Sequence, residues 1–239
     1  MTRSSIRLYQ TAEHGCGYFA DRTAQDLLLD PHDPALPLLY ADLLALGFRR
    51  SGGHVYRPRC PGCRACVPLR LPVAQFRPDR SQRRCLARNA DVRLEVGEVD
   101  GDDATYALYR RYITARHAGG GMDQGERSDF LAFASSPWSP TRLFRLLEGD
   151  RLLAVAVTDV VDDAISAVYT FFEPDLPQRG LGTLAVLRQI EWALAHGRSH
   201  LYLGFWIEQH PKMHYKARFR PAEVLIDGAW QALACPSAP

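Results

Sequence analysis

The stretch from Thr141 to Ile207 constrains the fold more than any other, because its apolar residues change period along the way. TRLFRLLEGDRLLAVAVTDVV alternates well enough to be a β-hairpin turning at Gly149 and Asp150, and AISAVYTFF is a further strand. LGTLAVLRQIEWALAHG then places Leu184, Leu187, Ile190 and Leu194 on one helical face, and HLYLGFWI is the short continuous apolar run of a buried strand. Strand, strand, strand, turn, helix, strand is an α/β arrangement around one mixed sheet.

Upstream, PLLYADLLALGFRR, Pro37 to Arg50, reads as a helix closed by Gly47. HVYRPRC and CVPLRLPV read as short strands around a cysteine turn, SQRRCLARNAD as a basic helix starting near Ser81, and VRLEVGEV as a strand. The acidic, glycine-containing EVGEVDGDD divides the chain into an N-terminal domain, 1–98, and a C-terminal domain, 99–239. DATYALYRRYITARH is a helix, and HAGGGMDQGE reads as a mobile loop with a site nearby. No apolar run approaches the roughly 20 residues of a membrane span, and MTRSSIRLYQ lacks the apolar stretch of a secretory signal. A cytoplasmic protein without a membrane partner is expected.

The net charge of +2 conceals an asymmetry. Between Arg57 and Arg93, ten arginines face only Asp79 and Asp91, so this segment carries +8 and the remainder −6. One basic face on a mildly acidic molecule suits a polyanion held in a single orientation; a solvated arginine-rich surface is the plainer alternative.

Three stretches carry chemistry. QRGLGT, Gln178 to Thr183, lies between a strand and a helix; Gly180 and Gly182 let the backbone come close to a ligand, and free amides at the helix start favour an anion. This order of elements with Q-R-G-x-G at the turn resembles the acyl-CoA loop of the GNAT acyltransferase fold, the competing reading being a tight connection and nothing more. Cys60, Cys63 and Cys66 stand three residues apart in RPRCPGCRACVPLRL, and Cys16 in HGCGYF supplies a fourth thiolate. Four thiolates suit a closed structural site for zinc or an iron–sulfur cluster, and the spacing does not choose between them. Buried, inert thiols are the other reading, the one taken for Cys85 and Cys235. YLGFWIEQHPKMHYKARFRP packs Tyr202, Phe205, Trp206 and Tyr215 beside Lys212, Lys216, Arg218 and Arg220, the mix found where a basic wall meets stacked bases.

Together, CGYF at 16–19, LYADLLALGFRRSGGHVYRPRCPGCRACVPLRLPV at 39–73, FRPDRSQRRCLARN at 76–89, YTFFEPDLPQRGLGTLAVLRQIEWA at 169–193 and YLGFWIEQHPKMHYKARFRPAEVL at 202–225 resemble the bacterial aspartate/glutamate leucyltransferases, relatives of the eukaryotic arginyl-tRNA-protein transferases. The resemblance implies an enzyme of the N-degron pathway that moves leucine from leucyl-tRNA onto the α-amino group of a protein beginning with Asp or Glu. It also implies a GNAT-like catalytic domain preceded by a small cysteine- and arginine-rich domain, with no cofactor required for the chemistry. In the eukaryotic relatives the first motif reads C-G-Y-C and is associated with zinc or an iron–sulfur cluster; here its second cysteine is replaced by Phe19. Arginyl transfer and CoA-dependent N-acetyl transfer are the alternative reactions.

An aminoacyl-tRNA is already an activated ester. Such an enzyme must hold a neutral amine against the ester carbonyl, stabilise the oxyanion and let the ribose oxygen leave with a proton. Candidates for the tRNA acceptor end are Arg83, Arg84 and Arg88, with Lys212, Tyr215 and Lys216, beside the anion turn at Gln178, Gly180 and Gly182. The acidic first side chain of the acceptor calls for a forked cation, Arg80 or Arg83. Asp175 and Tyr169 are placed to orient the amine and take its proton, ahead of Glu173, Glu208, His210 and His214. Phe171, Phe172, Leu203, Phe205 and Trp206 line either an apolar leucine pocket or the core.

Overall fold

Each change of period in the sequence becomes an element boundary. The computed structural model describes residues 6–116 and 125–234. It opens with β1 (Leu8–Gln10), β2 (His14–Gly15), β3 (Thr23–Ala24), β4 (Asp26–Leu29), α1 (Leu36–Ala45), β5 (Arg49–Ser51) and β6 (His54–Pro58). Then come β7 (Val67–Pro72), α2 (Arg80–Arg88), β8 (Val92–Gly97), α3 (Asp103–Arg116) and α4 (Arg127–Ala134). The rest is β9 (Thr141–Glu148), β10 (Arg151–Val160), β11 (Ala164–Phe172), α5 (Leu181–Ala195), β12 (His200–Trp206), α6 (Pro211–His214), β13 (Glu223–Ile226) and β14 (Ala229–Ala232). Of the glycine-rich loop read from HAGGGMDQGE, residues 117–124 lie outside the described residues.

The hairpin turns where expected, at Gly149 with φ +57°. α1 stops at Gly47, whose φ of +84° suits glycine and which packs so closely on β7 that an added Cβ would lie 2.7 Å from Leu225 and 2.9 Å from Pro68. The basic helix α2 starts one residue before Ser81. Asp79 caps it, accepting from the Gln82 amide at 2.8 Å while the Gln82 side chain accepts from the Asp79 amide at 2.9 Å.

The large sheet runs β14-β13-β7-β12-β11-β10-β9-β8, and beside it lies a four-stranded sheet, β1-β4-β6-β5. The large sheet thus draws strands from both sides of residue 98: β7 sits in its middle and β8 at its edge. The two strands flanking the cysteine turn part company, β6 joining the small sheet and β7 the large one. All pairings are antiparallel except β11 with β12. β10 shows why its middle is apolar on both faces: Ala154 and Ala156 pack towards α5, Val155 and Val157 towards α3 and α4. The architecture is the GNAT-like α/β one, a mixed sheet with helices on both faces.

The small sheet is fastened to the large one by a buried polar knot. Arg50 grips Asp159 with Nε at 2.8 Å and Nη2 at 2.7 Å. The same carboxylate accepts from Tyr40 at 2.6 Å and Thr141 at 2.7 Å. Every member is buried, so the charges are removed from water together with their partners.

Candidate active site at a fork in the sheet

The parallel pair is short. β11 and β12 are in register only at Ala164–His200, Ile165–Leu201 and Ser166–Tyr202. Beyond that, β11 follows β10 and β12 follows β7, so the two strands diverge. Each carries a bulge at the parting: Val168 has no partner between Ala167 and Tyr169, and Leu203 none between Tyr202 and Gly204. An extra residue on each strand increases local twist and bends the two apart, leaving their facing carbonyls without a ladder.

Those carbonyls are met by cations from elsewhere in the chain. Arg49 reaches in from β5 and donates to Ala167 O at 2.6 Å and to Tyr202 O at 3.5 Å, closing the apex of the fork. Lys216 donates to Phe205 O at 2.7 Å. Burial, and Arg49 beside it, lower the Lys216 ammonium to about 7. Gly204, at φ +82°, lies between them: an added Cβ would be 3.3 Å from Arg49 Nη2 and 3.4 Å from Lys216 Nζ.

The turn after β11 is held rigidly. Arg179 bonds Asn89 at 2.8 Å, Asp91 at 2.6 Å and Glu148, while Cys85 of α2 and Asn89 just past its end donate to its carbonyl. Gly180 takes φ +65° as the N-cap of α5 and offers no side-chain cap, which leaves the first-turn amides of Leu181 to Thr183 without a side-chain acceptor at the cap. At Gly182 an added Cβ would meet Phe172 at 3.1 Å.

α2 ties this turn to the far side of the fork. At one end Arg88 donates to Gln178 O; at the other Gln82 donates to Arg218 O at 3.1 Å. Arg80, Arg83, Arg84 and Arg88 are exposed, as are Lys212, Gln178 and Tyr215, the last at 43%. The basic residues expected to receive tRNA are thus exposed, those of α2 on the helix that bridges the two sides of the fork and forms its basic rim, with one exception. Lys216 is expected from the sequence on that surface beside Lys212; the 3-10 turn 215–218 instead points it inward, where it keeps 7% of its surface. Arg80 and Arg83 lie on the outer face of α2 and not in the fork, Arg83 donating to Pro78 O at 2.6 Å.

Tyr169 packs among Phe133, Tyr112 and Phe171 on the α3 and α4 side of the sheet, and burial raises its phenol well above the usual tyrosine range. It is therefore a neutral hydrogen-bonding group and not a proton acceptor near neutrality. Asp175 is exposed in the turn after β11. Glu173, by contrast, is buried and paired with Arg111 at 3.0 Å and Arg151 at 3.8 Å. Of the apolar candidates, Phe171 belongs to the core with Tyr109 and Phe130, while Phe172 looks towards Gly182 and Tyr112. The Trp206 Nε1 and His210 Nδ1 atoms are buried without a hydrogen-bond partner. His210 meets the rings of Tyr18 and Phe19, which brings the CGYF motif to the end of β12.

The cysteines gather at this corner without forming a metal centre. No disulfide links Cys16, Cys60, Cys63 or Cys66, and no three His, Cys, Asp or Glu donors converge among the described residues. Arg22, stacked on Phe19 at 3.9 Å, donates to Cys63 Sγ at 3.6 Å. Cys60 meanwhile turns to Gln25 O at 3.7 Å. Burial pushes the Cys66 thiol up to about 12, whereas the Ala65 backbone and Arg22 lower Cys63. As arranged, the four thiols do not fit zinc or a cluster. Beside them runs an open groove of about 1280 Å³ lined in part by Arg57, Arg59 and Arg64.

Sequence reasoning missed Arg49 and Arg50. Adjacent residues on a strand point to opposite sides, so an Arg-Arg pair opening a strand sends one guanidinium each way, here one to the knot and one to the fork. That alternation was the available signal.

Residues 14–84 match the model for the N terminus of arginine-tRNA-protein transferase and residues 104–226 the model for its C terminus. A protein from Stenotrophomonas maltophilia named aspartate/glutamate leucyltransferase is 53% identical over 231 residues, covering 94% of this chain and 92% of its own. One of the same name from Xylella fastidiosa is 48% identical over 232 residues, covering 95% and 91%. Among solved structures, L-PGS from Bacillus licheniformis shares the fold at 11% identity with a TM-score of 0.50, covering 84% of this chain and 63% of that one.

Proposed function

Because the chain belongs to the arginine-tRNA-protein transferase family, in its aspartate/glutamate leucyltransferase branch, we propose that it moves leucine from leucyl-tRNA onto the α-amino group of proteins beginning with Asp or Glu, at the fork between β11 and β12. The observation that carries the reading is the diverging strand pair opening beside a basic rim: an acyl group can enter between the strands while the nucleic acid stays outside. Arg83, Arg84, Arg88 and Lys212 neutralise phosphates along the rim, Tyr215 offers a ring for a base, and the first-turn amides of α5 beside Gly180 meet the terminal phosphate.

Within the fork the amine attacks the leucyl ester carbonyl, and the tetrahedral oxyanion is stabilised by fixed donors and positive charge. The ribose oxygen then leaves with a proton. Asp175, exposed at the mouth, is the group we assign to accept the proton of the incoming amine, and the neutral phenol of Tyr169 orients it. No covalent enzyme intermediate is needed, because the ester is already activated.

The deciding experiment is transfer of labelled leucine from leucyl-tRNA to a peptide beginning with Glu, with arginyl-tRNA and an N-acetylated peptide in parallel. Leucine transfer that vanishes on N-acetylation supports the reading. Transfer of arginine alone, or of neither amino acid, overturns it.

A further inference from the structure

Two cations are buried in the fork without an acid. Arg49 and Lys216 each keep only 7% of their surface, and the acceptors they have are backbone carbonyls. Among the described residues no Asp or Glu lies within ion-pair distance of either. Asp159, whose field reaches Arg49, is already saturated by Arg50, Tyr40 and Thr141. The contrast with Arg50 is instructive: one residue along the chain and equally buried, it has a carboxylate held by two nitrogens. A charge taken out of water without a counter-charge is costly, and the fold concentrates two such charges around one glycine.

The neighbours do nothing to neutralise them. Tyr56 faces this region, and burial raises its phenol, so it stays uncharged. The lowered Lys216 ammonium is the counterpart of the same imbalance, and a carboxylate arriving beside it would restore its proton as well as pair its charge. What is missing is a small anion, and of the two proposed substrates only one brings one so close to the reacting centre. The leucyl group has no anion, and the tRNA phosphates belong to the rim, whereas the acceptor begins with a carboxylate side chain on the same residue as its reactive amine. A planar carboxylate can take donors from a guanidinium and an ammonium at once.

We propose that Arg49 and Lys216 together form the seat for the carboxylate of the acceptor's first side chain, and so set the preference of the transfer for Asp and Glu. This rests on the leucyl-transfer reading and replaces Arg80 and Arg83, which stand outside the fork, in that role. Gly204 belongs to the seat because any side chain there would lie against both cations.

The test compares peptides that differ only in Glu or Gln at the first position, with wild-type protein, Lys216→Met and Lys216→Arg. For wild type we expect a large kcat/KM preference for Glu. In Lys216→Met that preference falls by about tenfold or more, through KM for the Glu peptide, while KM for leucyl-tRNA is unchanged; Lys216→Arg keeps most of it. A folded Lys216→Met with the wild-type preference would overturn the seat and leave leucyl transfer standing, whereas wild-type protein that transfers no leucine would remove both. Should Lys216→Met not fold, the wild type decides alone: an N-acetylated peptide beginning with Glu raises its Tm more than the Gln counterpart, and equal shifts would overturn the seat.

Discussion

Gly204 is the residue on which the fork turns most finely. Its φ of +82° is strained for any other residue, and an added methyl would press on Arg49 and Lys216 together. Gly204→Ala should lower leucine transfer by about tenfold or more with little change in the affinity for leucyl-tRNA, measured by filter binding. Lys216 has a thermodynamic signature as well. Its folded pKa, about 7, lies below the unfolded value, so between pH 7 and 9 the unfolded chain holds a proton that the folded one does not, and stability rises with pH. Above pH 9 the Cys66 thiol, raised to about 12, offsets that slope, because there the unfolded thiol ionises first. Denaturant titrations from pH 6.5 to 9 should show the rise in wild type and lose it in Lys216→Met. Asp175→Asn tests the other role: transfer falls by about a hundredfold while tRNA binding holds, and an unchanged rate would take Asp175 out of the mechanism.

At the scale of elements, α2 works as a clamp that also carries charge. It fastens the Gln178–Gly180 turn at one end and the 215–218 turn at the other, and its outward arginines line the path between. Arg83→Ala with Arg84→Ala should weaken leucyl-tRNA binding and reduce its salt slope by about 0.7 for each phosphate that is no longer neutralised, with the Glu-over-Gln preference intact. The elements themselves were legible in the sequence: the hairpin at Gly149, the strand and helix around QRGLGT, and the basic helix all follow from period and capping. The fork was not. It arises from two bulges, at Val168 and Leu203, and a one-residue misalignment between neighbouring strands leaves no trace in either strand's own alternation. The inward turn of Lys216 is hidden for a related reason, since a single 3-10 turn decides whether a lysine among basic residues faces water or backbone.

For the whole molecule, the Arg50–Asp159 knot joins the small sheet to the large one, beside an apolar cluster that reaches Ala164 and Tyr202. Asp159→Asn or Arg50→Met leaves a buried charge unpaired and should cost about 3–5 kcal/mol of unfolding free energy, read by urea titration. Because Arg49 is the next residue, loosening the knot should also disorder the apex of the fork and lower transfer before global unfolding begins. The strand that fills the middle of the large sheet is β7, made early, yet its neighbours β12 and β13 come some 130 to 150 residues later in the chain. During synthesis it must wait, unpaired, until β12 and β13 have both been made, so this part of the sheet closes late. A chain cut short before β12 should therefore be sensitive to protease throughout residues 67–72, and one that runs through β14 should not: the middle strand of the large sheet has no early partner to shelter it.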